Sequence, residues 1–202
     1  MDKLNTLILN ENPKIDIRGR VCHHRTEILY GLTELYNLQN YLEIGVHNGS
    51  SMSYVLQSNK NKICIGIDPF EDLRHHPLLL KSRHMLNYQK NDKITLEKTL
   101  NNLKKNNKYN SNIKLIKKLS KDVLDNEIPD TDLLFIDGDH TYKAVLNDYI
   151  KYSKFVKSGG FIVFDDLHQD GPKKCFNEIV STDKNIKLFG IYKETEGILI
   201  KL

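Results

Sequence analysis

Short apolar runs alternate with stretches of helical periodicity along most of this chain, and that alternation limits the possible folds more than any other feature. Four short, mainly apolar runs predict buried strands, and a shorter, more polar run predicts a fifth. Such continuous apolar character is typical of parallel strands covered by helices on both faces. The sequence therefore predicts an open α/β sheet with right-handed crossovers. The four runs are residues 41–46, 63–67, 133–136 and 161–164, and the fifth is 113–116.

Segments with apolar residues at helical spacing separate these strands. At the C-terminal end, residues 187–192 and 197–202 flank a polar turn and predict an antiparallel hairpin. We expect residues 1–40 to form an N-terminal helical or lid segment and residues 41–202 to form one domain. The predicted helices are residues 25–38, 50–57, 85–106, 141–156 and 173–180.

The composition fits one globular domain, because 39% of the 202 residues are hydrophobic and 28% are charged. No apolar run approaches the roughly 20 residues that cross a bilayer, and residues 1–10 lack a signal-peptide core. We therefore expect a cytoplasmic protein with no membrane partner. The formal charge of +4 comes from scattered lysines, a pattern that favours a solvated surface over a nucleic-acid groove. The three cysteines are widely spaced and are predicted to be reduced thiols.

A glycine-bearing turn follows the first of the apolar runs and leads into a predicted helix. Gly45 and Gly49 let the backbone pass close to a ligand, and Ser50 or Ser51 is expected to cap the helix. Asp68 ends the next strand, roughly 20 residues further on, where an acid accepts the hydroxyls of a ribose. The segment therefore predicts a nucleotide half-site.

Two classes of ligand use this geometry. Dinucleotides are usually bound by a G-x-G-x-x-G turn that holds a pyrophosphate, and this turn lacks the close pair of glycines. It carries an acid, Glu43, on the strand ahead of Gly45. A carboxylate there would repel a pyrophosphate and attract the cationic methionyl end of S-adenosylmethionine (SAM). The turn therefore favours SAM over NAD, and an ordinary turn without a ligand stays open as an alternative.

Acidic residues directly follow two of the predicted strands. Asp137 and Asp139 come after one strand, and Asp165 and Asp166 come after the next. Open α/β sheets bind ligands at this end of their strands, and carboxylates placed so closely repel one another unless a cation or protons intervene. Because all-oxygen ligation suits Mg²⁺, Mn²⁺ or Ca²⁺, the three residues Asp137, Asp165 and Asp166 predict a divalent-metal site. Taken singly, Asp139 would suit a helix cap and Asp166 a turn.

From residue 41 to residue 202 the chain resembles class I SAM-dependent methyltransferases. Within that class it is similar to the metal-dependent macrolide- and aminocoumarin-sugar O-methyltransferases and to catechol O-methyltransferases. The resemblance implies a single-domain Rossmann-like fold with a mostly parallel seven-stranded sheet and a C-terminal antiparallel hairpin. It is carried by L-E-I-G-V-H-N-G-S-S at 42–51, G-I-D-P at 66–69, F-I-D-G-D-H-T-Y at 135–142 and S-G-G-F-I-V-F-D-D at 158–166.

The resemblance also implies roles for individual residues. Asp137, Asp165 and Asp166 would hold Mg²⁺ or another hard divalent ion. His140 is the first candidate for the general base, because its ordinary pKa suits neutral operation, and Asp139 is the second. The implied contacts to SAM are Glu43, Gly45, Ser51, Asp68, Ser120 and Asp137.

The function that follows is O-methylation of a small hydroxylated acceptor, with a sugar or glycoside favoured over a catechol. Methylation of RNA or protein, and a SAM-binding partner subunit without activity, stay open as alternatives. A homo-oligomer is compatible with the sequence. For His140 a cap or supporting role is the alternative to the base. Secondary candidates for acceptor contact, each with a surface role favoured, are His23, His24, Arg25 and Arg74, and His168 is a secondary candidate for substrate or metal binding.

Overall fold

The computed structural model describes residues 1–11, 13–17, 20–22, 25–58, 62–70 and 94–202. His23, His24 and Arg74, together with the first part of the helix predicted at residues 85–106, lie outside the described residues. So does the side chain of Arg25.

Seven strands form one sheet in the order β5-β4-β3-β6-β7-β9-β8, and β1 and β2 pair separately as a short hairpin. Strands β3 to β7 pair in parallel, whereas β9 runs antiparallel to both β7 and β8. The predicted mostly parallel sheet with its C-terminal hairpin is confirmed. The strands are β1 (Ile15–Ile17), β2 (Arg20–Cys22), β3 (Asn40–Ile44), β4 (Ile63–Asp68), β5 (Asn112–Lys117), β6 (Thr131–Ile136), β7 (Val156–Phe164), β8 (Ile186–Tyr192) and β9 (Glu196–Lys201).

Helices alternate with the strands as the periodicity predicts. The segment predicted as one helix at 141–156 ends its α-helical part at Tyr152 and continues as a 3₁₀ turn, Ser153–Phe155. In the part of the chain that the structure describes, the α-helices are α1 (Asp2–Glu11), α2 (Ile28–Tyr36), α3 (Ser50–Gln57), α4 (Leu96–Asn106), α5 (Tyr142–Tyr152) and α6 (Asp170–Thr182).

The expected serine cap of α3 is wrong. Ser50 is already the first helical residue, and Gly49 is the N-cap without any side-chain hydrogen bond. The side chain of Asn48 supplies the hydrogen bonds at this helix start. Its Oδ1 accepts the backbone N–H of Ser50 at 3.2 Å and the Ser50 hydroxyl at 2.7 Å. An Asn one residue before the N-cap therefore closes this turn.

The core lies on both faces of the sheet because neighbouring strand residues point in opposite directions. On one face, Leu134, Ile136 and Ile162 pack against α5 and α6. On the other, Leu133 and Phe135 pack against α1 to α4. Helices on both sides explain why the central strands are apolar throughout rather than alternating.

The N-terminal segment packs on the second of these faces. Leu4 and Ile8 of α1 are buried against α2, where a Cβ on Gly31 would lie 2.7 Å from Leu4 Cδ1. The role of residues 1–40 as a lid stays a prediction. Cys64 and Cys175 are buried free thiols. Among the described helices, none combines the length and apolar character needed to span a bilayer.

Candidate active site at the carboxyl edge of the sheet

The parallel strands end side by side, and their ladders continue one residue past each strand. Asp137 N–H donates to the carbonyl of Ile44 at 2.9 Å, and Asp165 N–H donates to the carbonyl of Ile136 at 3.1 Å. These bonds place Asp137 and Asp165 in adjacent positions along the carboxyl edge. The convergence of the two acidic segments follows from this register.

The two glycines of the turn are required by packing as well as by conformation. Gly45 has φ +90°, and a Cβ there would lie 2.0 Å from the carbonyl oxygen of Asp137. Gly49 has φ +84°, and a Cβ would lie 2.8 Å from Leu103 Cδ2 of α4. Both positions are closed to side chains by the protein itself. Contact between Gly45 and the cofactor stays a prediction.

Asp68 ends β4 and supports the same turn. Its Oδ2 accepts the backbone N–H of His47 at 2.9 Å, and its Oδ1 accepts that of Phe70 at 2.6 Å. Each carboxylate oxygen can accept more than one hydrogen bond, so Asp68 can still accept hydrogen bonds from the hydroxyls of a ribose. The ribose role of Asp68 stays a prediction.

Glu43 is a buried carboxylate with one oxygen satisfied. The hydroxyl of Tyr41 donates to Oε2 at 2.9 Å, and Oε1 has no hydrogen-bond partner among the described residues. Burial, together with the nearby charge of Asp137, raises the pKa of Glu43 well above its usual value. An unpaired buried carboxylate oxygen is costly, and a cation beside it would remove that cost.

Asp137, His140 and Asp166 form the central group of the site. His140 Nε2 lies 3.6 Å from Asp137 Oδ1 and 3.2 Å from Asp166 Oδ2. One ligand atom from each residue falls within 4.8 Å of the others. Two carboxylates and an imidazole at this spacing fit a divalent ion. Two of the three predicted metal ligands therefore come together, with His140 beside them.

Asp165 stands outside that group. Its Oδ1 accepts the backbone N–H of Asp166 at 2.7 Å. Burial and the charges of Asp137 and Asp166 raise its pKa to about 9. Burial likewise raises the pKa of Asp137 to about 6, against the opposing effect of His140. The edge thus holds more negative side chains than it can keep ionised without a cation.

The pKa of His140 is raised above its usual value. Burial acts to lower it, but the contact with Asp137 and the charge of Asp166 outweigh burial. Gln169 Nε2 lies 3.0 Å from His140 Nδ1 and donates to Asp166 Oδ2 at 2.6 Å. Because the amide nitrogen can only donate, Nδ1 is the accepting nitrogen and Nε2 carries the hydrogen that faces the carboxylates.

Four further residues predicted at the site lie on the loops and helix starts around the central group. Asp139 Oδ1 accepts the backbone N–H of Thr141 at 2.8 Å at the start of α5, and His168 Nδ1 lies 3.5 Å from Asp166 Oδ1. Ser51 is buried in the first turn of α3. Ser120 opens the 3₁₀ turn that follows β5. No cofactor contact of either serine is tested by this geometry, so both stay predictions.

Two residues at the site were missed by the sequence reasoning. Gln169 follows Asp166 by three residues, and that spacing across a turn is the signal that could have found it. Glu196 begins β9, is fully buried, and accepts the hydroxyl of Thr195 at 2.6 Å. Its charge contributes to the raised pKa of Asp165. The sequence pattern places Glu196 in the polar turn of the predicted hairpin. The pairing of β9 with β7 brings it to the carboxyl edge.

Comparison with known proteins identifies the family of this chain. A family model described as "Methyltransferase domain" matches residues 42–167. An uncharacterised protein, R132, of Acanthamoeba polyphaga mimivirus is 34% identical in an alignment 184 residues long, which covers 84% of this chain and 72% of that protein.

Solved structures share the fold at low sequence identity. An O-methyltransferase from Bacillus cereus, solved with SAH (S-adenosylhomocysteine), is 15% identical with a TM-score of 0.62, covering 99% of this chain and 90% of that one. The O-methyltransferase NovP is 16% identical with a TM-score of 0.64, covering 87% and 77%. The O-methyltransferase TomG from Streptomyces achromogenes, solved with SAM, is 12% identical with a TM-score of 0.62, covering 99% and 88%.

The family match includes the glycine turn, the end of β4 and both acidic segments. Of the residues described at the carboxyl edge, it leaves out Tyr41, His168, Gln169, Thr195 and Glu196. With the seven-stranded sheet and its terminal hairpin, it confirms the resemblance seen in the sequence. The chain belongs to the methyltransferase-domain family and has the class I, SAM-dependent fold.

Proposed function

We propose that this protein transfers the methyl group of SAM to a hydroxyl oxygen of a small acceptor, with a sugar or glycoside as the favoured class. The observation that carries the proposal is the meeting of His140 with Asp137 and Asp166 beside the glycine turn. Several proteins of similar fold, among them NovP and TomG, are named O-methyltransferases. The preference for a sugar rests on the resemblance in sequence.

SAM, when bound, supplies an electrophilic methyl group on a sulfonium sulfur. The residues of the chain then have to hold the donor, orient the acceptor and take its proton. Glu43 suits the cationic methionyl end, because its Oε1 is buried and lacks a partner among the described residues. Asp68 suits the ribose at the end of the neighbouring strand. The contacts proposed at Gly45, Ser51, Ser120 and Asp137 complete the cofactor site.

His140 is the proposed general base. Asp137 and Asp166 hold the Nε2 side of the ring and raise its pKa. Nδ1, which accepts from Gln169, takes the proton when the acceptor hydroxyl displaces that amide. A third of the His140 side chain is exposed, so an acceptor can reach it. Asp139 is the second candidate, and its bond to the backbone of Thr141 leaves it less free to move.

Mg²⁺ or another hard divalent ion is part of the proposal, with Asp137, Asp165 and Asp166 as its ligands. An ion held there would lower the pKa of the acceptor hydroxyl. The support is electrostatic: burial and mutual repulsion raise the pKa of Asp165 to about 9 and that of Asp137 to about 6. A cation would relieve both effects.

The test is transfer of a labelled methyl group from SAM to a panel of nucleotide sugars, glycosides and catechols. We expect methylation of a hydroxylated small molecule, lost in EDTA and restored by Mg²⁺. Parallel reactions with RNA and with protein substrates separate the alternatives. Methylation confined to RNA or protein, or SAM binding with no transfer to any hydroxyl, would contradict the proposal.

A further inference from the structure

Helix α4 carries a stripe of buried polar side chains that the proposed chemistry does not use. Thr99, Asn102 and Asn106 follow one another at helical spacing and are 1%, 7% and 4% exposed. The rest of the helix is rich in lysine and asparagine, so the sequence alone suggests an ordinary solvated surface. Polar groups buried this completely need hydrogen-bond partners.

Two of the three residues donate to carbonyl groups of the glycine turn. Thr99 Oγ1 donates to the carbonyl of His47 at 2.6 Å, and Asn102 Nδ2 donates to the carbonyl of Asn48 at 3.0 Å. Leu103 of the same helix fills the space where a side chain on Gly49 would lie. Helix α4 therefore fixes the carbonyl side of the turn.

A backbone N–H of the same turn is held by Asp68, at the end of β4. Asp68 Oδ2 accepts the N–H of His47 at 2.9 Å. The turn needs such support because Gly45, His47 and Gly49 all have positive φ, a conformation that is poorly populated for a residue such as His47. Bonds to both sides of one peptide segment select this conformation from the many open to a glycine-rich turn.

The helix is itself anchored through the third residue of the stripe. Asn106 Oδ1 accepts the N–H of Asp16 at 2.9 Å, and its Nδ2 donates to the carbonyl of Asp16 at 2.8 Å. This pair of bonds ties α4 to β1 in the manner of a strand pairing. Helix α4, which holds the turn, is therefore itself anchored to β1 of the N-terminal segment.

We propose that Thr99 and Asn102 are positioning residues for the methyl donor, which act by holding the turn between β3 and α3 in its binding conformation. The inference rests on the proposed function, in which this turn contacts SAM. A turn that is already ordered loses less conformational entropy when a ligand binds. Loss of either hydrogen bond should therefore weaken donor binding without changing the groups at the acidic edge.

The experiment measures the dissociation constant of SAH by calorimetry, and kcat and the KM for SAM where turnover is available. Thr99→Val keeps the shape of the side chain and removes the hydroxyl donor. We expect the dissociation constant and KM to rise about threefold to tenfold, the effect of one buried hydrogen bond, while kcat stays near the wild-type value. Thr99→Ser restores the donor and should bind SAH nearly as the wild type does.

Thr33→Val is the matched control. Thr33 is also buried in a helix, and its hydroxyl donates to the carbonyl of Leu29 at 2.6 Å, away from the turn. We expect it to lower stability by a similar amount and to leave SAH binding unchanged. Asn102→Asp is a second test that keeps the side-chain size, replaces the donor with a carboxylate and should weaken binding as well.

Wild-type binding of SAH separates the positioning role from the proposed function. If the wild type binds SAH and both Thr99→Val and Asn102→Asp bind it as tightly as the wild type does, the positioning role is overturned. The proposed function stands in that case. The positioning role is also overturned if Thr33→Val weakens binding as much as Thr99→Val does. If the folded wild type binds no SAH, the proposed function and the positioning role both fall.

Discussion

At the scale of single residues, Asp165 is a carboxylate whose ionisation the fold opposes. Its pKa of about 9, against an ordinary value of 3.8, has burial as the largest cause and the charges of Asp137 and Asp166 as the next. Between these two values the folded protein binds a proton at Asp165 that the unfolded chain has lost. The contribution of Asp165 to stability therefore falls as pH rises through this window.

Asp165→Asn should remove much of this pH dependence. In EDTA at about pH 8 we expect the variant to melt higher than the wild type, by about 2–4 °C for each kcal/mol gained, and near pH 4 to melt at the same temperature. Thermal melts of both proteins across this range make the comparison. A difference in melting temperature between variant and wild type that does not grow as pH rises would contradict the assignment.

His140 has two roles that the geometry allows, and one spectrum separates them. A His140 that acts as the base does not coordinate the divalent ion. A His140 that acts as a ligand coordinates the ion through Nε2, together with Asp137 and Asp166. Loading the protein with Mn²⁺ and recording electron spin echo modulation shows whether a ¹⁴N nucleus is bonded to the ion. We predict no imidazole coupling in the wild type. Coupling that disappears in His140→Gln would contradict the base role and make His140 a metal ligand.

At the scale of elements, the junction between β3 and β6 depends on Gly45. Gly45→Ala places a Cβ against the carbonyl of Asp137 at 2.0 Å in a residue with φ +90°. We expect a loss of about 2 kcal/mol or more of unfolding free energy, because strain in the left-handed region and overpacking add together.

Gly159→Ala is the control for this prediction. Gly159 has φ +80°, and nothing lies within 4 Å of the position of its Cβ. It should lose only the conformational part, about 1–2 kcal/mol. Chemical denaturation of both variants measures the difference, and equal losses would show that the contact with Asp137 does not shape the junction.

Sequence patterns predicted these elements better than their ends. Apolar runs predicted the strands of the large sheet because helices cover both of its faces, and periodicity predicted the helices because each buries one side. The cap of α3 was missed, since Asn48 acts from one residue outside the helix. The polar stripe on α4 was missed as well, because Thr99 and Asn102 are of residue types common on a solvated face. Both are buried, and both donate hydrogen bonds to the glycine turn.

At the scale of the whole molecule, topology decides how much of the site the sequence could reveal. The acidic pairs after β6 and β7 were predictable, since ligands gather at the carboxyl ends of parallel strands. Gln169 carries a local signal in its three-residue spacing from Asp166, but Glu196 was not predictable, because it reaches the edge through the antiparallel pairing of β9 with β7. Local pattern carries information on local contacts, whereas the position of Glu196 depends on chain segments that only the finished fold brings together.

The proposed chemistry depends on a carboxyl edge that binds a cationic nucleoside, the methyl donor SAM. Glu43, Asp68, Asp137 and Asp165 lie close enough for their charges to affect one another, and such a group attracts a sulfonium and an ammonium more strongly than a neutral ligand. Glu43→Gln should therefore lower the affinity for SAM while the protein stays folded.

Calorimetric titration of SAM into the purified protein tests this claim most directly. We predict one site per chain, with an affinity that drops in Glu43→Gln. A protein that shows its full α/β circular dichroism and releases or absorbs no heat with SAM across several temperatures would contradict the account.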